Sequence, residues 1–291
     1  MRYEGMVYRP PSEANSLIIQ ATIGCPHNRC TFCTMYKNTR FRIRPVKEIK
    51  EDLDIAKRYY GDSVQTIFFA DGNTILMKTK DLIEIFKYAG KLFLRLHRIT
   101  SYGSARYISL KSPEELKELK AAGLNRIHSG MESGDPEVLE ILEEGATPQE
   151  IIHAGRMLKE AGIEVSEYIM VGAGGKKLSR NHAINSAKVL NQIDPDFIRL
   201  RTFMVIPGTP IEQTYKEGKF ELLDPYEALK ETRLLVENLE GIESNFLSDH
   251  ISNYWNINGK LPGDKEKMLR EVDYALTLDR KKFRDPKDVF I

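Results

Sequence analysis

The chain has 291 residues, 41% hydrophobic and 29% charged, a globular balance with enough apolar mass for one large domain or two small ones. Lys and Arg number 43 against 42 Asp and Glu, so the net charge of +1 leaves no evident nucleic-acid footprint. No apolar run approaches the ~18 residues of a membrane span, and the N-terminus lacks a secretory apolar segment. These features predict a cytoplasmic protein with no membrane partner.

Apolar β-rich runs alternate with helix-period patterns. Residues 16–22 predict a first strand, and a helix follows near 46–60. Then come a strand at 65–70, a helix at 79–93, a strand at 95–102 and a helix at 113–122. A fourth strand at 125–130 precedes helices at 136–142 and 148–161. A fifth strand at 163–171, a helix at 179–193 and a sixth strand at 196–206 complete the series. Ser112-Pro113, Asp135-Pro136, Thr147-Pro148 and Asp224-Pro225 each set a capping side chain before a proline at the first helical position. Gly123 and Gly162 stand where helix C-terminal glycines belong. Short connections between repeats predict parallel strands and right-handed crossovers. Beyond the turn Pro207-Gly208-Thr209-Pro210 lie a helix at 225–239 and a short strand at 242–247. A polar irregular stretch at 248–263 and a last helix at 262–278 follow. The pattern is α/β, either an open doubly wound sheet or a full or partial (β/α) barrel. In each, ligands gather at the C-terminal ends of the strands.

The three cysteines of the chain, Cys25, Cys30 and Cys33, directly follow the first strand with the spacing Cys-x4-Cys-x2-Cys. Three clustered thiols can hold three corners of a metal centre and leave a fourth position open. Their odd number argues against a disulfide framework. A zinc knot is the alternative, with His27 as the one nearby nitrogen ligand. Asp71-Gly72-Asn73 ends the second strand; a carboxylate there suits an ammonium group, or forms a turn with no ligand. On the sixth strand Ile198 and Leu200 suit the helix-covered face, which turns Arg199 and Arg201 inward. Buried guanidinium groups need an anionic partner: a ligand carboxylate, or an internal ion pair with Glu132 or Glu167. Arg40, Arg42 and Arg44 alternate after the cysteine loop, as an acidic-substrate contact or, preferably, a solvated extended segment. The loop holding His250, Asn253, Tyr254 and the single Trp255 is either a substrate contact or a surface loop with one packed aromatic. Arg42, Tyr102, His250, Asn253 and Tyr254 are the candidate substrate residues.

Four segments together resemble the radical SAM superfamily, over about residues 16–210. They are the cysteine loop with Phe32 before its last cysteine, Ala70-Asp71-Gly72-Asn73, Arg126-Ile127-His128-Ser129-Gly130-Met131-Glu132-Ser133-Gly134, and Gly172-Ala173-Gly174-Gly175. The third is similar to the fourth-strand signature of the oxygen-independent coproporphyrinogen oxidase, tRNA-modifying and cobalamin-dependent branches. The resemblance implies a partial (β/α)6 TIM-like barrel core at 1–210, with a cluster loop at 23–35. A C-terminal strand and helix extension at 211–291 then packs on the same domain. It implies that Cys25, Cys30 and Cys33 bind one [4Fe–4S] cluster whose fourth iron is chelated by S-adenosylmethionine. It also implies a cofactor pocket of Phe32, Asp71, Gly72, Asn73, Glu132, Ser133, Gly172, Arg199, Arg201 and Met204. The usual spacing is Cys-x3-Cys-x2-Cys, so this loop carries one extra residue. No cysteine remains for an auxiliary cluster, which argues against methylthiotransferase-type chemistry. The implied reaction is reductive cleavage of S-adenosylmethionine to a 5′-deoxyadenosyl radical, followed by hydrogen abstraction from an unidentified substrate. A reductant such as ferredoxin or flavodoxin would supply the electron. The alternative is a non-catalytic iron–sulfur or cofactor carrier on the same fold; Asp71 and Glu132 argue against it, since a carrier needs no S-adenosylmethionine pocket.

Overall fold

The computed structural model describes residues 1–284. It divides into two compact units: Met1–Asn28, Met35–Ser129 and Ala154–Val165 form the first, and Arg29–Thr34, Gly130–His153 and Ser166 onward form the second. No helix among the described residues is long and apolar enough to cross a membrane.

In the first unit the chain forms β1 (Leu17–Gln20), β2 (Thr22–Ile23), β3 (Arg42–Ile43) and α1 (Val46–Tyr60). It continues through β4 (Thr66–Ala70), α2 (Thr79–Leu92), β5 (Arg98–Tyr102), α3 (Ala105–Ile108) and α4 (Pro113–Ala121). The strand β6 (Leu124–Glu132) begins here and ends in the second unit. Strand β4 lies between β1 and β5, parallel to each, and β5 pairs in parallel with the start of β6. The sheet is apolar on both faces, as helix-covered parallel strands require: Ile67, Phe68 and Phe69 are buried, and Phe69 packs on Phe86 of α2 at 5.1 Å between ring centroids. Ser112 and Glu115 form a reciprocal capping box at the start of α4.

The preferred reading of Arg40, Arg42 and Arg44 fails at its third member. Arg44 is buried: its Nη1 donates to Gln20 O at 2.8 Å and its Nη2 stands 2.8 Å from Asp52 Oδ2. The short ribbon of β2 and β3 turns this residue under α1, where Asp52 compensates the charge.

Helix α5 (Pro136–Leu142) belongs to the second unit; α6 (Pro148–Glu160) starts there, and β7 (Glu164–Val171) ends there. Then come α7 (Gly175–Ile193), β8 (Phe197–Thr202), α8 (Pro210–Lys216), α9 (Pro225–Glu237), β9 (Asn245–Leu247), β10 (Asn258–Lys260) and α10 (Lys265–Leu276). β7, β8 and β9 run parallel, with Tyr168 opposite Arg199 and Met170 opposite Arg201, while β10 is antiparallel to β9. Val138, Leu142, Ala173, Phe203 and Phe220 form an apolar cluster at the strand ends.

Several elements depart from the expectation, among them β3 and α3, which no expected run covers. The sixth strand stops at Thr202 rather than 206, because Phe203 N donates to Val171 O and the chain then leaves the ladder. Thr209-Pro210 opens α8 instead of ending a turn, with proline at the first helical position. The polar stretch at 248–263 contains β10, whose Asn-Gly-Lys sequence has no strand propensity of its own. Gly259 fits there because a Cβ would lie 2.8 Å from Asp264 Cβ and 2.9 Å from the Met268 side chain. Residues 285–291 of the expected extension lie outside the described residues.

Candidate functional site

The start of the cysteine loop is clamped by the end of β4. Gly24 N donates to Asp71 Oδ2 at 2.9 Å, and Gly72 N donates to Gly24 O at 3.1 Å. Gly24 and Asp71 both occupy the left-handed region, at φ 76° and 71°. A side chain at position 72 has no room: a Cβ would lie 2.7 Å from Cys25 Cα and 2.8 Å from Gly24 O. Asp71 also accepts from Gln20 Nε2 at 2.9 Å and from the Tyr36 hydroxyl at 3.4 Å. Its carboxyl is raised above the usual range, by burial first, with the Gly24 amide and Gln20 opposing. Asn73 is buried as well, and its Oδ1 accepts from Ser104 N at 2.6 Å. Asp71 and Asn73 thus tie strand ends to loops.

Within the cysteine loop, Asn28 is left-handed at φ 48°. Asparagine tolerates this conformation better than most residues. Asn28 N donates to Cys25 Sγ at 3.4 Å, and Asn28 Nδ2 donates to Tyr36 O at 2.7 Å. Within the second unit, Thr31 N donates to Leu142 O at 2.9 Å and Thr31 Oγ1 to Ile141 O at 2.8 Å. Phe32 packs on the apolar cluster, 6.3 Å from the Phe203 ring. Cys25, Cys30 and Cys33 are half-buried and form no disulfide. Among the described residues no three His, Cys, Asp or Glu side chains are gathered as ligands of a single metal ion. A cubane takes one thiolate on each of three irons, so it does not need that tight grouping.

The ends of β6, β7 and β8 in the second unit carry the titratable groups. Glu132 has left-handed backbone at φ 57°, and its Oε1 folds back over Gly130, where a Cβ would meet it at 2.4 Å. Burial pushes the Glu132 carboxyl up to about 7, although the nearby Arg201 guanidinium pulls it down. Glu144 rises to about 9, through burial first and then the charge of Glu132. Its Oε2 is buried without a hydrogen-bond partner. His250 is lowered to about 4 by burial and then by Arg201. Its Nδ1 accepts from Ser252 N at 3.1 Å, so the neutral ring carries its proton on Nε2. Arg201 therefore stands in electrostatic reach of both Glu132 and His250.

The other expected residues take varied positions. Arg199 is buried, donates to Ser166 Oγ at 3.2 Å and lies over the Phe197 ring at 5.4 Å. Gly172 is left-handed at φ 87° and donates its amide to Glu231 at 2.6 Å. Ser133 is buried against His182 Nδ1 at 2.8 Å. Met204 is half-buried beyond the end of β8. Arg42 is exposed and paired with Glu4. Tyr102 packs edge-on to Phe68 at 5.0 Å. Asn253 is buried, its Nδ2 donating to Leu200 O at 2.8 Å and Ser248 O at 2.9 Å. Tyr254 lies beneath the Arg280 guanidinium at 5.7 Å, and Trp255 Nε1 donates to Glu271 at 2.8 Å, packed edge-on to Tyr274 and Phe283. Glu144, His182 and Glu231 were not anticipated. They sit in a turn and inside two helices, where no motif marks them; only the cost of burying a charge reveals them.

These residues fit a cluster and its cofactor. Three thiols on one loop form no disulfide, and Gly72 leaves the backbone beside Cys25 clear. Residues 19–185, more than half of the chain, match the family model of the radical SAM superfamily. An uncharacterized methyltransferase of Pyrococcus horikoshii is 25% identical over 73% of this chain, and the chain spans 47% of that relative's length. Methylornithine synthase shares the fold with a TM-score of 0.54 at 19% identity, over 88% of this chain and 68% of that one. Escherichia coli coproporphyrinogen III oxidase shares it at 0.55 and 16% identity, over 77% and 52%. With this match and the partial α/β barrel of those neighbours, the chain belongs to the radical SAM superfamily, enzymes that work with a [4Fe–4S] cluster and S-adenosylmethionine.

Proposed function

We propose that this protein reductively cleaves S-adenosylmethionine and abstracts a hydrogen atom from a substrate. Cys25, Cys30 and Cys33 would hold the cluster, and residues 1–210 would form the catalytic core, with 211–291 as its extension. When bound, the cluster and S-adenosylmethionine supply one-electron cleavage to methionine and a 5′-deoxyadenosyl radical. The observation that carries the reading is the clamp on the cysteine loop. Asp71 caps the Gly24 amide and Gly72 lies flush against Cys25, so the first thiol is positioned without any bound group.

The remaining assignments follow from the geometry of each strand end. Phe32 anchors the last two cysteines to the apolar cluster and keeps water from that side. Glu132, at the end of β6, would accept the ribose hydroxyls once ionised, with Ser133 holding the turn. Gly172 and Met204 would line the adenosyl group, and Arg201 would meet a carboxylate of the cofactor or substrate. Arg199, two residues earlier on β8, would face the same side of the sheet as Arg201. His250, neutral at physiological pH with its proton on Nε2, would donate to a substrate acceptor. A low-potential donor such as ferredoxin or flavodoxin would supply the electron, in a cytoplasmic setting.

Anaerobic reconstitution with iron and sulfide, followed by S-adenosylmethionine and dithionite, tests this reading. Methionine and 5′-deoxyadenosine are expected in equal amounts. A cluster-loaded protein that leaves S-adenosylmethionine intact under all reductants contradicts it.

A further inference from the structure

Glu231 lies on α9, outside the residues 19–185 that match the family, yet its carboxylate reaches the end of β7. It is only 4% exposed. Oε1 accepts from the Gly172 amide at 2.6 Å and Oε2 from the Ser179 hydroxyl at 2.5 Å. His182 Nε2 stands 3.1 Å from Met170 O and 3.6 Å from Glu231 Oε1. Both neighbours of Nε2 are acceptors, so Nε2 carries a hydrogen. Nδ1 stands 2.8 Å from the Ser133 hydroxyl, and Ser133 Oγ in turn accepts from Asp135 N at 3.0 Å. One buried carboxylate thereby connects the end of β7 at Gly172 with the residue next to Glu132 at the end of β6. A charge this deeply buried is costly unless its hydrogen bonds are filled, and both of its oxygens are committed to this arrangement.

We propose that Glu231 is a positioning residue for the S-adenosylmethionine pocket, fixing Gly172 directly and Glu132 through His182 and Ser133. The inference rests on the functional reading above and adds to it that α9 is part of the cofactor site. Without Glu231 the Gly172 amide and the His182 ring lose their reference point, and the two strand ends are free to shift against each other.

The dissociation constant for S-adenosylmethionine, measured by equilibrium dialysis on the reconstituted, unreduced protein, tests this. Iron content and the spectrum of the reduced cluster without cofactor are recorded alongside. Glu231→Ala is expected to raise the constant about tenfold, the scale of one well-formed hydrogen bond, with cluster content and cofactor-free spectrum unchanged. Glu231→Gln keeps an acceptor for the Gly172 amide and is expected to stay within about threefold of the parent. Ser133→Ala cuts the other end of the relay and is expected to fall between the two. A folded, cluster-loaded Glu231→Ala with parental affinity overturns the proposal, as does a Glu231→Gln as weak as the alanine variant. If Glu231→Ala does not fold, parental affinity in Ser133→Ala overturns it instead. If the parent protein itself binds no S-adenosylmethionine, the functional reading fails, a result distinct from failure of the relay alone.

Discussion

At Glu132 two effects oppose each other: burial raises the carboxyl and Arg201 lowers it, leaving it at about 7 against an ordinary 4.5. The native state therefore holds a proton that the unfolded chain has already released. Stability falls as pH rises from 4.5 to 7 on this account and levels off above, by at most about 1.4 kcal/mol per pH unit. His250 works in the other direction. Its value of about 4 means the unfolded chain takes a proton below 6.5 that the native ring refuses, so its contribution grows from pH 4 to 6.5. The two partly cancel on the acid side. Cofactor binding should separate them, because accepting ribose hydroxyls requires the ionised carboxylate. Calorimetry in buffers of different ionisation enthalpy is expected to show the parent releasing about half a proton more per S-adenosylmethionine bound at pH 7 than Glu132→Gln, on top of any proton lost by the cofactor's own amino group in both. An equal release in the two proteins places the titrating group elsewhere. The cysteines and Glu132 could be singled out as candidates in the sequence because their spacing and flanking residues form a pattern. His182 and Glu231 were not, since a buried polar residue inside a helix differs from its neighbours only once the packing is known.

At the scale of elements, the strand ends do the positioning and the loops are fastened to them. Gly72 is the tightest of these fastenings, with no space for a methyl group against the backbone of Cys25 and Gly24. Gly72→Ala cannot be relieved by a rotamer change, so the cysteine loop has to move. Iron and sulfide analysis of the reconstituted variant is expected to give less than about half the parental content. Gly90→Ala, in α2 with nothing within 4 Å of an added Cβ, is the control and should load normally. Parental loading in Gly72→Ala contradicts the clamp. Helix boundaries marked by chemistry were legible: Ser112, Asp135 and Asp224 all accept backbone N–H bonds at helix starts. The left-handed Asn28 inside the cysteine loop is a conformation the spacing alone does not reveal. β10 escaped notice because its partner strand and Gly259, rather than its own propensity, place it.

For the whole molecule, alternating strands and helices with short connections were enough to predict the α/β class, and three cysteines after the first strand pointed to the strand C-termini as the proposed site. The C-terminal region was the least legible, and it is where the structure adds most. Trp255 fastens onto α10, Asn253 onto β8, and Glu231 onto β7, so residues beyond the family match help build the second unit. The central claim is that three cysteines leave one iron open for S-adenosylmethionine. Electron paramagnetic resonance of the reconstituted, reduced protein, with and without S-adenosylmethionine, tests it most directly. A [4Fe–4S] signal whose g-values shift on adding S-adenosylmethionine is the predicted result, because ligation at one iron alters the cluster's electronic structure. A signal that S-adenosylmethionine leaves unchanged, or a colourless zinc-loaded protein with no signal, would contradict the account.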